Sequence, residues 1–365
     1  MGREFASVAA RWCHLNIEAA TPDIVGVSDI NPDSMTWFEN NIPNLKYKSS
    51  DYRTLLAATD IDAVYCAVPH YLHESIYIDI IQSGKHFLGE KPFGIDQTAN
   101  ANILEELRKH PNVFARCASE FPYYPASQML INWISENRFG RIIEVKAGLN
   151  HSSDIDLNKQ INWKRQIQFN GEYGCMGDLG IHTQHIPFRF GWIPKNVCAK
   201  LQNIVPSRPD KNGKMVPCDT YDNAVLICDV DNNDGQEFTL TLETKRIEPG
   251  ALNQWYIKVT GLDASAYYTT EDPNSLHFLE SSKKGQPWSR LPIGFMPEFS
   301  TITAPIFEFG FPDALMQMWA AFILELEGKP VKFACFTPEE TRISHALLTA
   351  ALISHKNKTL EKVKI

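Results

Sequence analysis

Hydrophobic positions along the chain follow two rhythms, and the change between them comes about a third of the way in. Early on, short continuous apolar runs stand at 24–28, 63–68, 86–89 and 113–117. Segments with helical spacing separate them: 31–41, opened by Asn31 as cap and Pro32 in the first turn, then 52–58, 72–82, stopped by Ser83-Gly84, and 96–109. Residues 2–18 read as a loop running into a helix. Unbroken apolar strands alternating with helices predict a parallel sheet covered on both faces. Ligands of such sheets gather at the carboxyl ends of the strands. Asp29, Pro69 and Glu90 stand at those ends.

After Ser119 the pattern changes. A helix is predicted at 126–137, ended by Phe139-Gly140. Two-residue alternation follows at 141–149, 223–230, 237–244, 255–260 and 264–270, which predicts an antiparallel sheet with one covered and one open face. Stretches 207–217 and 283–305 read as loops, and 313–326 and 338–355 as closing helices. The expected fold is α/β followed by α+β: a parallel sheet in residues 1–118, then a mostly antiparallel sheet packed on helices in 119–365.

Composition narrows the function. The 365 residues are 44% hydrophobic and 21% charged, with a net charge of -8, a soluble globular balance that argues against a nucleic-acid partner. No apolar run is long enough to span a membrane. The eight cysteines form no CxxC pair, and Cys66, Cys117 and Cys228 lie inside apolar strands, where a thiol acts as a small hydrophobe. A reducing, cytoplasmic setting is expected.

Three features carry chemistry. First, no GxGxxG turn is present. The sequence opens at Met1-Gly2 and enters the first helix, and Asp29 follows Gly2 by 27 residues at the end of a strand. That spacing suits an acidic residue on an adenosine ribose, with Gly2 as the middle glycine of a turn whose strand is not in this sequence. Alternatively, Asp29 caps the turn before Pro32. Second, Glu90-Lys91-Pro92 follows a helix, a glycine and a strand, which puts a cation on a stiff turn that could steady a developing alkoxide. Third, Asp178 and His182 are four apart and share a helix face. Such an aspartate can fix the histidine tautomer for proton exchange with a hydroxyl, although a pair of this kind can equally be a structural hydrogen bond. His185 continues the same face and opens a metal-binding reading, for which no fourth ligand is evident.

The run Gly84-Lys85-His86-Phe87-Leu88-Gly89-Glu90-Lys91-Pro92-Phe93-Gly94, the segment from Pro69 to His73, Asn162-Trp163-Lys164, and the stretch from Gly171 through Asp178 to His182 together resemble the glucose–fructose oxidoreductase, inositol dehydrogenase and MocA family. The resemblance runs from Gly2 to the final helix. It implies a Rossmann-type domain, a nicotinamide cofactor, and hydride exchange with a hydroxyl carbon of a sugar, cyclitol or related polyol. It places Lys91 and His182, with Asp178, at the substrate, and Gly2, Asp29, Pro69, His73, Glu90, Lys91, Trp163 and Lys164 around the cofactor. It also implies a cis bond before Pro92, no metal, and a homodimer or homotetramer packed through the open sheet face. Asp29 with no adjacent arginine favours NAD over NADP. Trp163 could line the nicotinamide pocket or anchor a domain interface.

There are departures from the family pattern. Glu120 stands where an arginine is common, and Lys164 replaces an arginine and its planar fork. Tyr123-Tyr124 and the aromatics of 307–312 could stack on a sugar ring, with core packing the default. Two other functions stay open: a catalytically silent binding or regulatory relative, motivated by the incomplete cofactor turn, and a glycosidase that uses NAD transiently.

Overall fold

The computed structural model describes residues 1–232, 235–282 and 284–365. Helix α1 (Gly2–Ala10) starts at once and buries Ala6, Val8 and Ala9. The expected order of loop and then helix is thus reversed: a short 3-10 turn at Trp12–His14 follows α1, and extended chain leads to β1 (Gly26–Ser28). Next come α2 (Pro32–Asn41), whose Asn31 cap accepts from Asp33 N–H, β2 (Tyr47–Ser49), α3 (Arg53–Leu56) and β3 (Ala63–Cys66). After these stand α4 (His73–Gln82), β4 (His86–Gly89), α5 (Gln97–Lys109, capped by Asp96) and β5 (Ala115–Cys117). β2 has no apolar run to announce it, because its Tyr-Lys-Ser sequence is half exposed.

The single parallel sheet expected from the sequence is two parallel pieces, β1–β2 and β3–β4–β5. Among the described residues no strand lies between β1 and β3 to hydrogen-bond to both. Helix α1 sits against this part through Phe5, whose ring stacks on Tyr65 at 3.8 Å.

The rest of the chain builds one nine-stranded sheet. Its strands are β6 (Ile142–Asn150), β7 (Pro194–Gln202), β10 (Asn223–Asp231), β11 (Glu237–Lys245), β12 (Gln254–Gly261), β13 (Ala264–Thr269), β14 (Ser275–Glu280), β15 (Ser289–Pro292) and β16 (Glu361–Lys362). They run in the order β15-β14-β13-β12-β6-β11-β10-β7-β16. All neighbours are antiparallel except β6 and β11. The stretch read as a loop at 207–217 holds a small hairpin, β8 (Ser207–Pro209) with β9 (Met215–Pro217). The one read at 283–305 contains β15, and Lys283 itself lies outside the described residues.

One face of the sheet is covered by α6 (Pro125–Ser135), the short α7 (Ile167–Asn170) lies nearby, and α8 (Cys175–Arg189) crosses β6 and β11. Helices α9 (Phe311–Leu326) and α10 (Pro338–Asn357) close the fold, α9 against α1 and α10 against α5 and β7. Strict alternation in β11 and β12 buries Phe238, Leu240, Leu242, Trp255, Ile257 and Val259 and leaves the opposite face open. α8 is buried from Cys175 to Phe188, so its polar residues have to find partners inside the protein.

Gly89 at the end of β4 is required by a close approach, since a Cβ there would lie 2.8 Å from the Tyr77 ring and hydroxyl. Tyr77 cannot yield: it is wholly buried and packed on His73, Phe87 and Phe93. Gly89→Ala is expected to lower unfolding free energy by about 1–3 kcal/mol, read as a lower denaturant midpoint at unchanged m.

Candidate functional site

The turn after β4 is held from four sides. Tyr77 hydroxyl donates to Glu90 carbonyl at 2.8 Å, His345 Nε2 lies 2.8 Å from Pro92 carbonyl, Asn100 Nδ2 donates to Phe93 carbonyl at 2.9 Å, and Gly94 N–H donates to His73 Nδ1 at 3.4 Å. The Lys91–Pro92 bond is cis. His73 also meets Val68 carbonyl through Nε2 at 3.1 Å. One nitrogen donates and the other accepts, which only a neutral imidazole can do. Burial agrees, pushing His73 down to about 3. The sequence reading set His73 at the cofactor. In the structure His73 is fully buried with both nitrogens engaged, and it fastens the chain after β3 to the lysine turn.

The turn aims Lys91 at α8. That helix begins at Gly174, whose φ of 57° and close approach to Tyr221 backbone, 2.7 Å from a Cβ, exclude a side chain. Lys91 Nζ donates to Asp178 carbonyl at 2.6 Å and to Asp178 Oδ1 at 2.7 Å. Lys164 Nζ meets both carboxylate oxygens at 3.1 Å, and Arg246 Nη2 meets Oδ2 at 2.9 Å. Arg246 also donates to Lys164 carbonyl at 2.9 Å. His70 Nε2 stands 3.9 Å from Asp178 Oδ1, with its ring edge on Trp163 at 4.9 Å.

These contacts set the charges. Burial disfavours the Asp178 carboxylate, but Lys164, Lys91 and Arg246 together hold its pKa well below the usual range. Burial lowers Lys91, yet Asp178 and Glu90 raise it more, so it remains an ammonium. Asp178 raises Lys164, but burial and the fields of Lys91 and Arg246 outweigh it and the net shift is down. Lys164 has the most exposed of the three side chains, at 40%.

Asp178 does not orient His182 as the sequence suggested. A carboxylate offers about four acceptor sites, and Lys91, Lys164 twice, and Arg246 occupy them. The acid nearest the His182 ring is Glu120, with Oε2 3.8 Å from Nδ1. The ring is also held by the Phe121 edge at 5.1 Å, and its backbone carbonyl accepts from Trp255 Nε1 at 2.7 Å. His185 points elsewhere, to Ala334 carbonyl and the Phe333 and Phe336 rings. It does not join Asp178 and His182 in a ligand set.

Of the remaining positions, Asp29 is exposed at the end of β1 and its Oδ1 accepts from Asn31 N–H at 2.8 Å. The capping contact is therefore present, with the second oxygen not committed to a hydrogen bond among the described residues. Gly2 opens α1, whose first turn has no side-chain cap. Pro69 stands three residues beyond β3, and Glu90, just beyond β4, accepts from Tyr65 hydroxyl. Tyr123 and Tyr124 are core residues. The sequence reading missed His70 and Arg246. His70 sits in the quoted Pro69–His73 segment, whereas Arg246 has no motif around it.

Together these features describe an α/β part with parallel strands joined to a large open sheet, with Lys91 of the first meeting Asp178 of the second. Residues 2–116 match the model of the GFO_IDH_MocA family, described as an oxidoreductase family with an NAD-binding Rossmann fold. It is 27% identical over 165 residues to levoglucosan dehydrogenase of Pseudarthrobacter phenanthrenivorans, 45% of this chain and 42% of that protein. It is 26% identical over 192 residues to glucose-6-phosphate 3-dehydrogenase of Bacillus subtilis, 52% of this chain and 53% of that protein. The chain thus spans about half the length of the curated relatives it matches. Among solved structures, apo levoglucosan dehydrogenase superposes with TM-score 0.89 at 20% identity, covering 100% of this chain and 96% of that one. An inositol dehydrogenase homologue with NAD+ from Azotobacter vinelandii gives 0.76 at 19% identity, covering 92% and 88%. At these identities the likeness shows the fold alone.

Arg246→Met leaves Asp178 buried with two cations in place of three. The expected loss is about 3 kcal/mol, the lower end for breaking a buried pair, measured by denaturant unfolding at neutral pH.

Stability should also fall on acidification. Burial holds His70, His182 and His185 well below the ordinary 6.5, His345 at about 4 and His73 at about 3. Folded values lie below unfolded ones, so the contribution is full above 6.5. It declines as pH drops toward about 4 for His345 and about 3 for His73. Glu120, pushed up by burial to about 7, acts oppositely: its contribution is full below the unfolded value and lost as pH rises through about 7. These imidazoles, with His151 lowered to about 4, outweigh Glu120 and the likewise raised Glu298, so the unfolding midpoint should be lower at mildly acidic than at neutral pH.

Proposed function

We propose that the protein is an NAD(P)-dependent oxidoreductase that exchanges a hydride with a hydroxyl-bearing carbon of a sugar, cyclitol or related polyol. The observation that carries this reading is the Lys91 ammonium. Among the described residues, two of its three N–H groups are fixed by Asp178, which leaves the third for a substrate oxygen. His182 takes the hydroxyl proton, and Lys91 steadies the negative charge that develops on the oxygen. Bound nicotinamide would supply the hydride acceptor or donor.

The residues present fit such a cofactor. The uncapped N–H groups of the first turn of α1, beginning at Gly2, suit the pyrophosphate. Asp29 suits the ribose hydroxyls, and its charge disfavours the extra phosphate of NADP. Pro69, Glu90 and Lys91 stand at the strand ends, with Trp163 and Lys164 on the facing wall. Support for the substrate class comes from levoglucosan dehydrogenase, whose structures include complexes with NADH and levoglucosan or L-sorbose. The same reading divides the chain at 118/119, with a cofactor part before and a substrate part after. It places the protein in a reducing cytoplasm, consistent with eight free thiols, as a homodimer or homotetramer joined by the open sheet face.

Titration with NADH should enhance nicotinamide fluorescence at lower concentration than NADPH. No binding at millimolar cofactor would sink the dehydrogenase reading and favour a silent binding protein. Lys91→Met should keep NADH affinity within a few fold and lower kcat for polyol oxidation by about 10²–10³.

A further inference from the structure

His182 poses a problem that the Lys91–Asp178 cluster does not solve. Its Nδ1 is buried and has no hydrogen-bond partner, an arrangement that costs free energy unless a partner is reached. Asp178 has no acceptor site to spare. The neighbouring acid is Glu120, 3.8 Å away from Nδ1 and, like His182, only 6% exposed. Contacts of this kind are often long before substrate binds and tighten in the complex.

We infer that Glu120 is the positioning residue for His182, setting its tautomer and receiving through Nδ1 the proton that His182 takes from the substrate. This rests on the oxidoreductase reading above. In the oxidation direction Glu120 is a carboxylate and Nδ1 carries the imidazole proton. The substrate O–H bond breaks and its proton bonds to Nε2. The Nδ1 proton passes to Glu120, and the C–H hydride leaves for the oxidised nicotinamide. The imidazole ends neutral, the carboxylate has become a carboxylic acid, the alcohol is a carbonyl compound and the nicotinamide is reduced. With Glu120 protonated, its O–H donates to Nδ1. His182 then carries the proton on Nε2, as ketone reduction requires.

The surroundings suit a carboxyl that changes state near neutrality. Burial first and the Glu90 charge second raise it, Lys91 lowers it, and together they leave it at about 7. Tyr65 on β3 and Tyr124 at the start of α6 also lie in its field. On the imidazole side stand Lys91, Asp178, His185 and Lys164, and burial keeps His182 neutral. The pair therefore holds one mobile proton.

The test compares the full-length wild type with Glu120→Gln and Glu120→Asp. Wild-type kcat for polyol oxidation should rise with pH through neutrality. Glu120→Gln should lose that limb and about tenfold or more in kcat, because its amide donates to Nδ1 and fixes the wrong tautomer. Its unchanged NADH affinity reports an intact fold. Glu120→Asp should restore the limb. Independently of turnover, 15N spectra of the His182 ring, assigned by their loss in His182→Gln, should switch from Nε2–H to Nδ1–H as pH rises in the wild type and stay Nε2–H in Glu120→Gln. A Glu120→Gln enzyme with the wild-type pH limb, or a His182 tautomer indifferent to Glu120, overturns the proposal. If the wild type binds no nicotinamide, the functional reading fails, and the ring spectra still decide whether Glu120 governs His182.

Discussion

One buried carboxylate sets the constraint on everything around it. Asp178 lies almost wholly out of solvent on a helix that is buried from Cys175 to Phe188. A carboxylate in such a place costs several kcal/mol unless it is paired and hydrogen-bonded. The partners come from three separate elements: Lys91 from the turn after β4, Lys164 from the 3-10 turn Trp163–Arg165, and Arg246 from the residue after β11. Satisfying one charge therefore draws the parallel-sheet part and the open-sheet part together at a point. Three cations on one anion leave local positive charge in surplus. Burial and that surplus together outweigh Asp178 and lower the pKa of Lys164, the most exposed of the three.

Rigidity on the Lys91 side of Asp178 comes from neutral histidines. His73 and His345 are buried and tie the Glu90–Gly94 turn to β3 and α10. Their depressed pKa values follow from the same fact as their function. Lack of solvent disfavours the charged ring, and a ring that stays neutral can serve as donor and acceptor at once. Helix α5 contributes in parallel, through Asn100 Nδ2, which donates to Phe93 carbonyl and to Thr341 Oγ1. The Lys91 side chain thus leaves a backbone fixed by contacts to four elements.

Much of this could be read from the sequence, and the gaps have physical causes. The apolar runs reaching Ser28, Cys66 and Gly89 do form strands, β4 mostly buried and β1 and β3 half-buried. The alternation in β11 and β12 revealed a sheet with one open face. β7 escaped because Pro194–Gln202 places Lys and Asn among its apolar residues, which blurs the period. The partners of α8 escaped because they are tertiary: Arg246 is 68 residues away from Asp178, and no local pattern marks it. The choice between His70 and His73 was also beyond the sequence. Both lie in the same short segment, and only packing decides that His73 turns into the core while His70 faces Asp178.

The i,i+4 spacing of Asp178 and His182 shows how a correct local inference can yield a wrong partnership. The helix does put both side chains on one face. Acceptor capacity then decides, and the lone-pair sites of Asp178 are used by cations that need them more than a neutral imidazole does. Two acids near Lys91 are thereby driven apart in pKa. Asp178, surrounded by fixed positive charge, stays ionised throughout the physiological range. Glu120, buried with no cation at hydrogen-bonding distance among the described residues and with Glu90 nearby, is held closer to its neutral form. Environments that separate two carboxyl groups in this way assign one to hold charge and the other to move protons, and His182 lies on the side of the second.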